Sequence, residues 1–277
     1  MVAQVEPMPI RYSYFMGVDP APAFDAKADD GALVAAKAWP RVPGELSSSP
    51  ADWHFGYVWA YRLRAASLEE WSGFIHKKHR EFGFTKIVLD VGAGGGGGFI
   101  RRQLQNHQQL IEQVPTKVKP IVTTDDTVTY DGYPILHMTR RKDPGIATLF
   151  PPPLDGDDVL IDAIHTGYRQ VLDSGSVGFP RPHDEVAREV SDKWPEEMQW
   201  ASKNLSAVRA QLVNVQVATN PDGTWQYTNR GAKQFSAIGK KDLAYAAVYC
   251  HLAFRIWLAV GDFSTPDPDD DAGFSGF

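Results

Sequence analysis

One cysteine in 277 residues, Cys250, has no partner to pair with, so a disulfide framework and a structural thiolate zinc site are both excluded. The eight histidines show neither H-E-x-x-H nor a paired zinc spacing. There is no G-x-S-x-G elbow to support Ser-His-Asp hydrolysis, and no G-x-x-x-x-G-K-[ST] loop to support an ATPase motor. No apolar run approaches the length of a membrane span, and MVAQVEPMPI has neither the basic end nor the apolar core of a secretory signal. A protein of the cytosolic type, without a membrane, is expected. Basic residues are not in excess either: Lys plus Arg is 28 against 34 Asp plus Glu, a formal charge of -6. That balance excludes a uniformly basic nucleic-acid binder and permits a local basic groove.

What is present is an ordinary globular composition, 43% hydrophobic and 12% aromatic, long enough for a sizeable core. Five of the carboxylates fall between Asp262 and Asp271, without a base among them, so the rest of the chain carries about -1. A single domain over residues 1–265 followed by a disordered acidic tail, 266–277, is expected.

The apolar patterning predicts three strands in succession, in YSYFMGVD, GALVAAKAWP and DWHFGYVWAYRL, hence a leading antiparallel meander. The alternating Trp53, Phe55, Tyr57, Trp59 and Tyr61 read as one packed face. A helix follows, announced by the capping box Ser67-Leu68-Glu69-Glu70 and stopped at Gly83. TKIVLDV is a buried strand opening into glycines and a helix through Phe99, Ile100, Leu104 and Leu110; KPIVTT is a further strand. Residues 126–205 read as a turn-rich and then helical excursion, with helical spacing in DDVLIDAIHTGYRQVL and again from Asp184 to Leu212, broken near Pro195. A hairpin turning at Pro221-Asp222-Gly223 and a closing helix from Lys241-Asp242 complete an α/β sheet protein.

Three acids sit where element ends would present them to one edge: Asp19 after YFMGV, Asp90 in IVLDV and Asp242 at the head of the last helix. Carboxylates held close together repel unless a cation joins them, and hard oxygen ligands suit Mg²⁺ or Mn²⁺. A pair of such ions can cleave a phosphodiester. Each acid has a plainer use as well: Asp19 precedes Pro20 as a turn former would, and Asp242 can cap its helix. Asp90, inside an apolar strand, needs a partner.

GVDPAPAFDAKADDGALVAAKAW, IVLDVGAGGGG and KKDLAYAAVYCHLAF, in that order, resemble the C-terminal nuclease domain of phage terminase large subunits, over roughly residues 12–125 and 206–260. The resemblance implies an RNase H-like (retroviral integrase-type) fold: a central mixed β-sheet with the leading meander, flanked by helices, with a helical insertion and an extra β-hairpin. It implies a metal-dependent endonuclease that hydrolyses double-stranded DNA with little sequence specificity during viral genome packaging. Asp19, Asp90 and Asp242 would be catalytic and hold two divalent ions, Mg²⁺ or Mn²⁺, with Asp25 as an auxiliary ligand. An ATPase motor domain, a portal and a small terminase subunit would be partners, in the host cell cytoplasm. The sequence departs from the family at Lys241, where a second acid often precedes Asp242, and at Tyr245, a position that is often acidic.

Short basic clusters could bind phosphates if they rim the carboxylates: Lys77, Lys78 and Arg80; Arg101 and Arg102; Arg140 and Arg141; Lys240 and Lys241. The rival reading is an S-adenosylmethionine-dependent methyltransferase, because Gly92, Gly94 and Gly97 satisfy G-x-G-x-x-G between a strand and a helix. Such a site wants an acid ending the next strand about 20 residues on. Here Glu112 stands at that distance but precedes the strand, and Asp125 and Asp126, which end it, lie farther away.

Overall fold

The computed structural model describes residues 12–21, 31–64, 66–90, 99–100, 103–104, 121–123, 127–130, 133–136, 146–150, 158–190, 193–219, 225–229, 242–260 and 263. The meander is present as β1 (Ser13–Asp19), β2 (Gly31–Pro40) and β3 (Trp53–Leu63), paired antiparallel. Helix α1 (Leu68–Phe82) follows, with the capping box formed at both ends: Ser67 Oγ accepts from the Glu70 amide and the Glu70 carboxylate accepts from the Ser67 amide. Gly83 closes the helix in the left-handed region at φ 61°, where a β-carbon would be strained. Next come β4 (Lys86–Leu89), β5 (Ile121–Thr123), the hairpin β6 (Thr127–Tyr130) and β7 (Tyr133–Leu136), and β8 (Ile146–Phe150). Helix α2 (Asp158–Asp173), β9 (Val177–Gly178), α3 (His183–Val190), α4 (Glu196–Asn214), the hairpin β10 (Val215–Thr219) and β11 (Trp225–Asn229), and α5 (Asp242–Val260) complete the chain.

Seven strands form one mixed sheet in the order β5-β8-β4-β1-β2-β3-β9. β1, β4, β8 and β5 run parallel, and β2 reverses between β1 and β3. This is the RNase H-like arrangement that was expected, with the additional hairpins and helices around it. Two readings are corrected. β8 lies inside the sheet between β4 and β5, so the segment read as an excursion supplies a core strand at Ile146–Phe150. The aromatics of β3 do not share one face: Trp53, Phe55 and Tyr57 face α5, whereas Trp59 and Tyr61 face α1. A β-bulge is the cause. Ala36 pairs with Tyr57 and Ala35 with Trp59, so Val58 is an extra residue and the alternation inverts after it.

One sheet face carries α5, packed on Phe15, Val34, Ala36, Phe55, Tyr57 and Val88. α5 is apolar around its whole circumference because α2 and α4 contribute to its cover, Tyr168 from α2 and Leu205 and Val208 from α4 belonging to the same cluster. Tyr57 donates to the Ala247 carbonyl at 2.8 Å, leaving Tyr168 to donate to the Tyr57 hydroxyl at 2.6 Å, so β3, α2 and α5 are tied by one buried chain. The other face carries α1 through Trp71 and Ile75, against Val18, Leu33, Ile87 and Leu89, with Ile100 and Leu104 in the same cluster.

His79 of α1 is buried, its ring stacked on Phe84. Burial first, and the nearby His76 imidazole second, hold His79 down to about 4. His251, buried in α5 beside Phe55 and Tyr168, is held down to about 3 by burial and then by Arg255. Both are neutral in the fold but take up protons near their ordinary value of about 6.5 when unfolded. The unfolded chain therefore binds more protons as the pH falls from about 6.5, and stability declines, by about 3 kcal/mol for His79 over its window down to pH 4. Urea denaturation at pH 7.5, 6 and 5 is expected to show that decline, and His79→Leu is expected to flatten it while the His251 part remains. An unchanged slope in His79→Leu would refute the assignment.

Candidate functional site

The site begins with a register. Val18 of β1 pairs with Leu89 of β4, and the Asp90 amide donates to the Val18 carbonyl at 3.0 Å. One step farther, Asp19 and Asp90 stand side by side at the carboxyl ends of two parallel strands, about 4.8 Å apart as neighbouring strands are. They also share a face. Phe15 and Val88 pack under α5, and Asp19 and Asp90 follow at even spacings from them along β1 and β4. Both carboxylates therefore emerge on the α5 side, and both residues are half-buried.

α5 brings the third acid. It runs antiparallel to β1 with its own backbone against Gly17: a β-carbon there would overlap the Ala246 carbonyl oxygen and the Cys250 amide nitrogen and stand 2.9 Å from the Tyr249 carbonyl carbon. Upstream, Phe15 meets Phe254 and Trp257 at ring separations of 5.5 and 5.4 Å, and Cys250 Sγ donates to the Phe15 carbonyl at 3.3 Å. Each two-residue step along β1, about 6.6 Å, is matched by one helical turn of α5, about 5.4 Å. Phe15 lies at the level of Phe254, Gly17 at that of Ala246 and Cys250, and Asp19 therefore at that of Asp242. The first turn of α5 is fixed in turn by Gln211 of α4, whose Oε1 accepts from the Ala244 amide at 3.0 Å with the glutamine fully buried.

Two tyrosines occupy the space between the acids. Asp242, Tyr245 and Tyr249 are spaced i, i+3, i+7 and so lie along one stripe of α5. Tyr249 donates its hydroxyl to Asp90 Oδ2 at 3.3 Å. Burial pushes the Tyr249 hydroxyl well above its ordinary value, with Asp90 and then Asp19 adding to it. Tyr245 is likewise pushed up by burial and then by Asp19, Asp90 and Asp242. The field of all three carboxylates thus converges on one phenol. His165 of α2 meets the Tyr245 ring edge-on at 5.3 Å, which brings the inserted helix into the same corner.

The chemistry of this donor set fits a hard divalent cation, because three oxygen acids share one negative field without a thiolate. It is not a finished cage: among the described residues no three Asp, Glu, His or Cys side chains are close enough together to hold a metal ion. Asp25 lies outside the described residues, as do Arg101, Arg102, Arg140, Arg141, Lys240, Lys241 and the glycine run. Helix α1 is on the opposite face of the sheet, so Lys77, Lys78 and Arg80 do not stand over the carboxylates. Lys78 is corrected further. It is buried, ion-paired with Glu81 at 2.5 Å and with Glu197 of α4, and lies over the Trp59 ring, which leaves no ammonium for a phosphate. Sequence reasoning passed over Gly17, Gln211, Tyr249 and His165. The spacing of Asp242, Tyr245 and Tyr249 was the one signal available for the tyrosines.

Gly17→Ala is expected to lower stability by about 3 kcal/mol, since the added methyl meets backbone that cannot rotate away. Chemical denaturation measures it; a loss below about 0.5 kcal/mol would mean that α5 does not rest on β1 as described.

No family model matches the chain, and no curated protein does. Solved structures that resemble it are phage large terminase nucleases. The large terminase nuclease from thermophilic phage G20c with bound magnesium aligns at a TM-score of 0.45 and 11% identity, covering 87% of this chain and 81% of that one. The nuclease domain of the large terminase subunit gp2 of bacterial virus Sf6 aligns at 0.40 and 14%, covering 86% and 87%. The Thermus phage P74-26 large terminase nuclease domain aligns at 0.40 and 10%, covering 87% and 78%.

Proposed function

We propose that this chain is a metal-dependent endonuclease that hydrolyses phosphodiester bonds of double-stranded DNA with little sequence specificity, as the nuclease of a viral genome-packaging terminase. The observation that supports it most is the pairing of Asp19 and Asp90 at the ends of parallel strands, with Asp242 at the head of α5 and all three within electrostatic reach of Tyr245.

On the resemblance in sequence, Asp19 would hold both of two Mg²⁺ or Mn²⁺ ions, and Asp90 and Asp242 one each, with Asp25 as an auxiliary ligand. Such ions, when bound, activate water and offset the charge of the phosphate. The residues of the chain do the rest. The backbones of Asp19 and Asp90 are held at neighbouring strand ends by the β1–β4 ladder, so both side chains start from fixed positions. The apolar packing of α5 on Phe15, Gly17 and Val88 excludes water from behind the acids. Lys240 and Lys241, which precede Asp242 in the chain, would meet phosphates beside the site, and Arg101, Arg102, Arg140 and Arg141 are further candidates. Lys77 and Arg80 would serve only a duplex that reached the opposite face.

The ATPase motor domain, portal and small terminase subunit would be the partners, and the host cell cytoplasm the location. No helix among the described residues is long and apolar enough to cross a membrane. The methyltransferase reading finds no support in the topology. A nucleotide acid should end the strand beside β4, yet β8 separates β4 from β5, and the neighbour on the other side, β1, belongs to an antiparallel meander.

Plasmid nicking tests the proposal. Cutting is expected with Mn²⁺ or Mg²⁺ and not with EDTA, and Asp19→Ala and Asp90→Asn are each expected to lose on the order of 100-fold or more. Metal-independent cutting, or full activity in Asp90→Asn, would overturn it.

A further inference from the structure

We infer that α4 is a latched strap. The Lys78 ammonium fastens its first turn to α1, and its last turns hold the head of α5, so that opening the latch on one face of the sheet loosens the Asp242 end of α5 on the other. The inference goes beyond the nuclease reading and does not need it, because it concerns how the helix is held and not what the acids do.

Among the described helices, α4 alone contributes to both core clusters. Ala201 packs with Trp59, Trp71 and Ile75 on the α1 side, and Leu205 and Val208 pack with Tyr57 and α5 on the other. The helix passes between them around the outer edge of β3, beyond Gly56, where β9 stops pairing. On the way Asn204 donates its Nδ2 to the Ala60 carbonyl at 3.2 Å.

The two ends are fastened by unlike means. At the first turn, Lys78 pairs with Glu81 and Glu197, its side chain 2% exposed against 48% for that of Glu197. The ammonium also lies over the Trp59 and Phe74 rings, at 5.0 and 5.7 Å. Lys78 cannot follow a departing carboxylate into water, whereas Glu197 can turn outward, so the pair opens from the α4 side. A buried ammonium stripped of a carboxylate is destabilising, which favours the closed latch. At the far end, the fully buried Gln211 accepts the Ala244 amide, in the first turn of α5, through Oε1 at 3.0 Å. Its Nε2 has no hydrogen-bond partner among the described residues, so the cap depends on where α4 stands. One unbroken helix joins the two ends, about 21 Å apart at 1.5 Å per residue, and carries a shift of its first turn to its last.

Amide hydrogen exchange on the full chain tests this, on wild type, Glu197→Gln and Glu81→Gln. Glu197→Gln is expected to speed exchange at the Ala244 amide by about tenfold, together with the amides of α4, and to change Val34 in the middle of the sheet much less. Glu81→Gln, which alters the pair within α1 and leaves Glu197 in place, is expected to keep Ala244 at its wild-type rate. Faster exchange confined to α1 and the first turn of α4 overturns the strap. Equal acceleration at Ala244 and Val34 reports a general loss of stability and overturns it as well, as does an effect of Glu81→Gln on Ala244 equal to that of Glu197→Gln. Urea denaturation of Glu197→Gln, Gln211→Leu and the double variant gives a second measurement. Substitutions this far apart normally multiply their effects on the unfolding constant. Here the double variant is expected to fall several-fold short of that product, since an open latch has already loosened the cap, and the full product overturns the coupling.

Discussion

The close approach of α5 to β1 at Gly17 is the constraint on which the rest of the molecule depends. Helix and strand meet there backbone to backbone, and no side chain on either element intervenes. Such a contact has little tolerance, because the atoms involved cannot adopt another rotamer. It fixes both the height of the helix above the sheet and its position along the strand. The aromatic contacts of Phe15 with Phe254 and Trp257 lock the same register from one side, and the Gln211 cap holds the helix start from the other. Where Asp242 stands relative to Asp19 is thus decided by apolar packing one and two turns away. The acids do not attract each other into place; they are carried there.

That division of labour has an energetic reason. Asp19 and Asp90 stand on neighbouring strand ends, where like charges disfavour each other, and it is the packing of the core that holds their strands together. The surrounding structure is correspondingly dense: α5 is covered by α2, α4 and the sheet, and the Tyr168–Tyr57–Ala247 chain ties three elements at the level next to the acids. The net charge of -6 takes on a different sense in this light. Five of the negative charges lie between Asp262 and Asp271, and the acids of the site would become phosphate-binding once divalent ions were held there.

Much of this was legible in the sequence, and the exceptions have physical causes. The meander, β4, the capped helix and α5 each combine a strong period with a start or stop signal, and they appear where the pattern puts them. β8 escaped because IATLF is five residues long, too short for a period, although Pro144-Gly145 before it and Pro151-Pro152-Pro153 after it are the bounds of a short strand. The face switch in β3 escaped because a bulge leaves the alternation intact in sequence and inverts it only in space. Lys78 escaped because an ammonium between histidines reads as surface. Its spacing from Trp71, Ile75 and Phe82 is nevertheless that of the buried stripe, and Glu81, Glu197 and the Trp59 ring make the burial tolerable. Asp19 and Asp90 were legible as strand ends; that Asp90 shares a face with Tyr249 depends on parity against a helical residue 159 positions away, which no local pattern encodes.

The tyrosine at position 245 is instructive for the same reason. The resemblance in sequence implies an acid there in many relatives, and a fourth carboxylate would stand in the field of Asp19, Asp90 and Asp242. Burial alone already disfavours ionisation at this point, so an acid would be neutral much of the time and its charge state would vary with the cations nearby. A phenol removes that uncertainty. Pushed up first by burial and then by the three acids, the Tyr245 hydroxyl holds its proton and adds no charge to the corner. Its ring supplies in exchange what a carboxylate cannot: a flat apolar wall, stacked on Tyr249 and met edge-on by His165, that keeps the floor of the site rigid. A neutral phenol in that position thus leaves the corner with fewer charges and firmer walls, with Tyr249 donating to the one acid whose strand ends just before it.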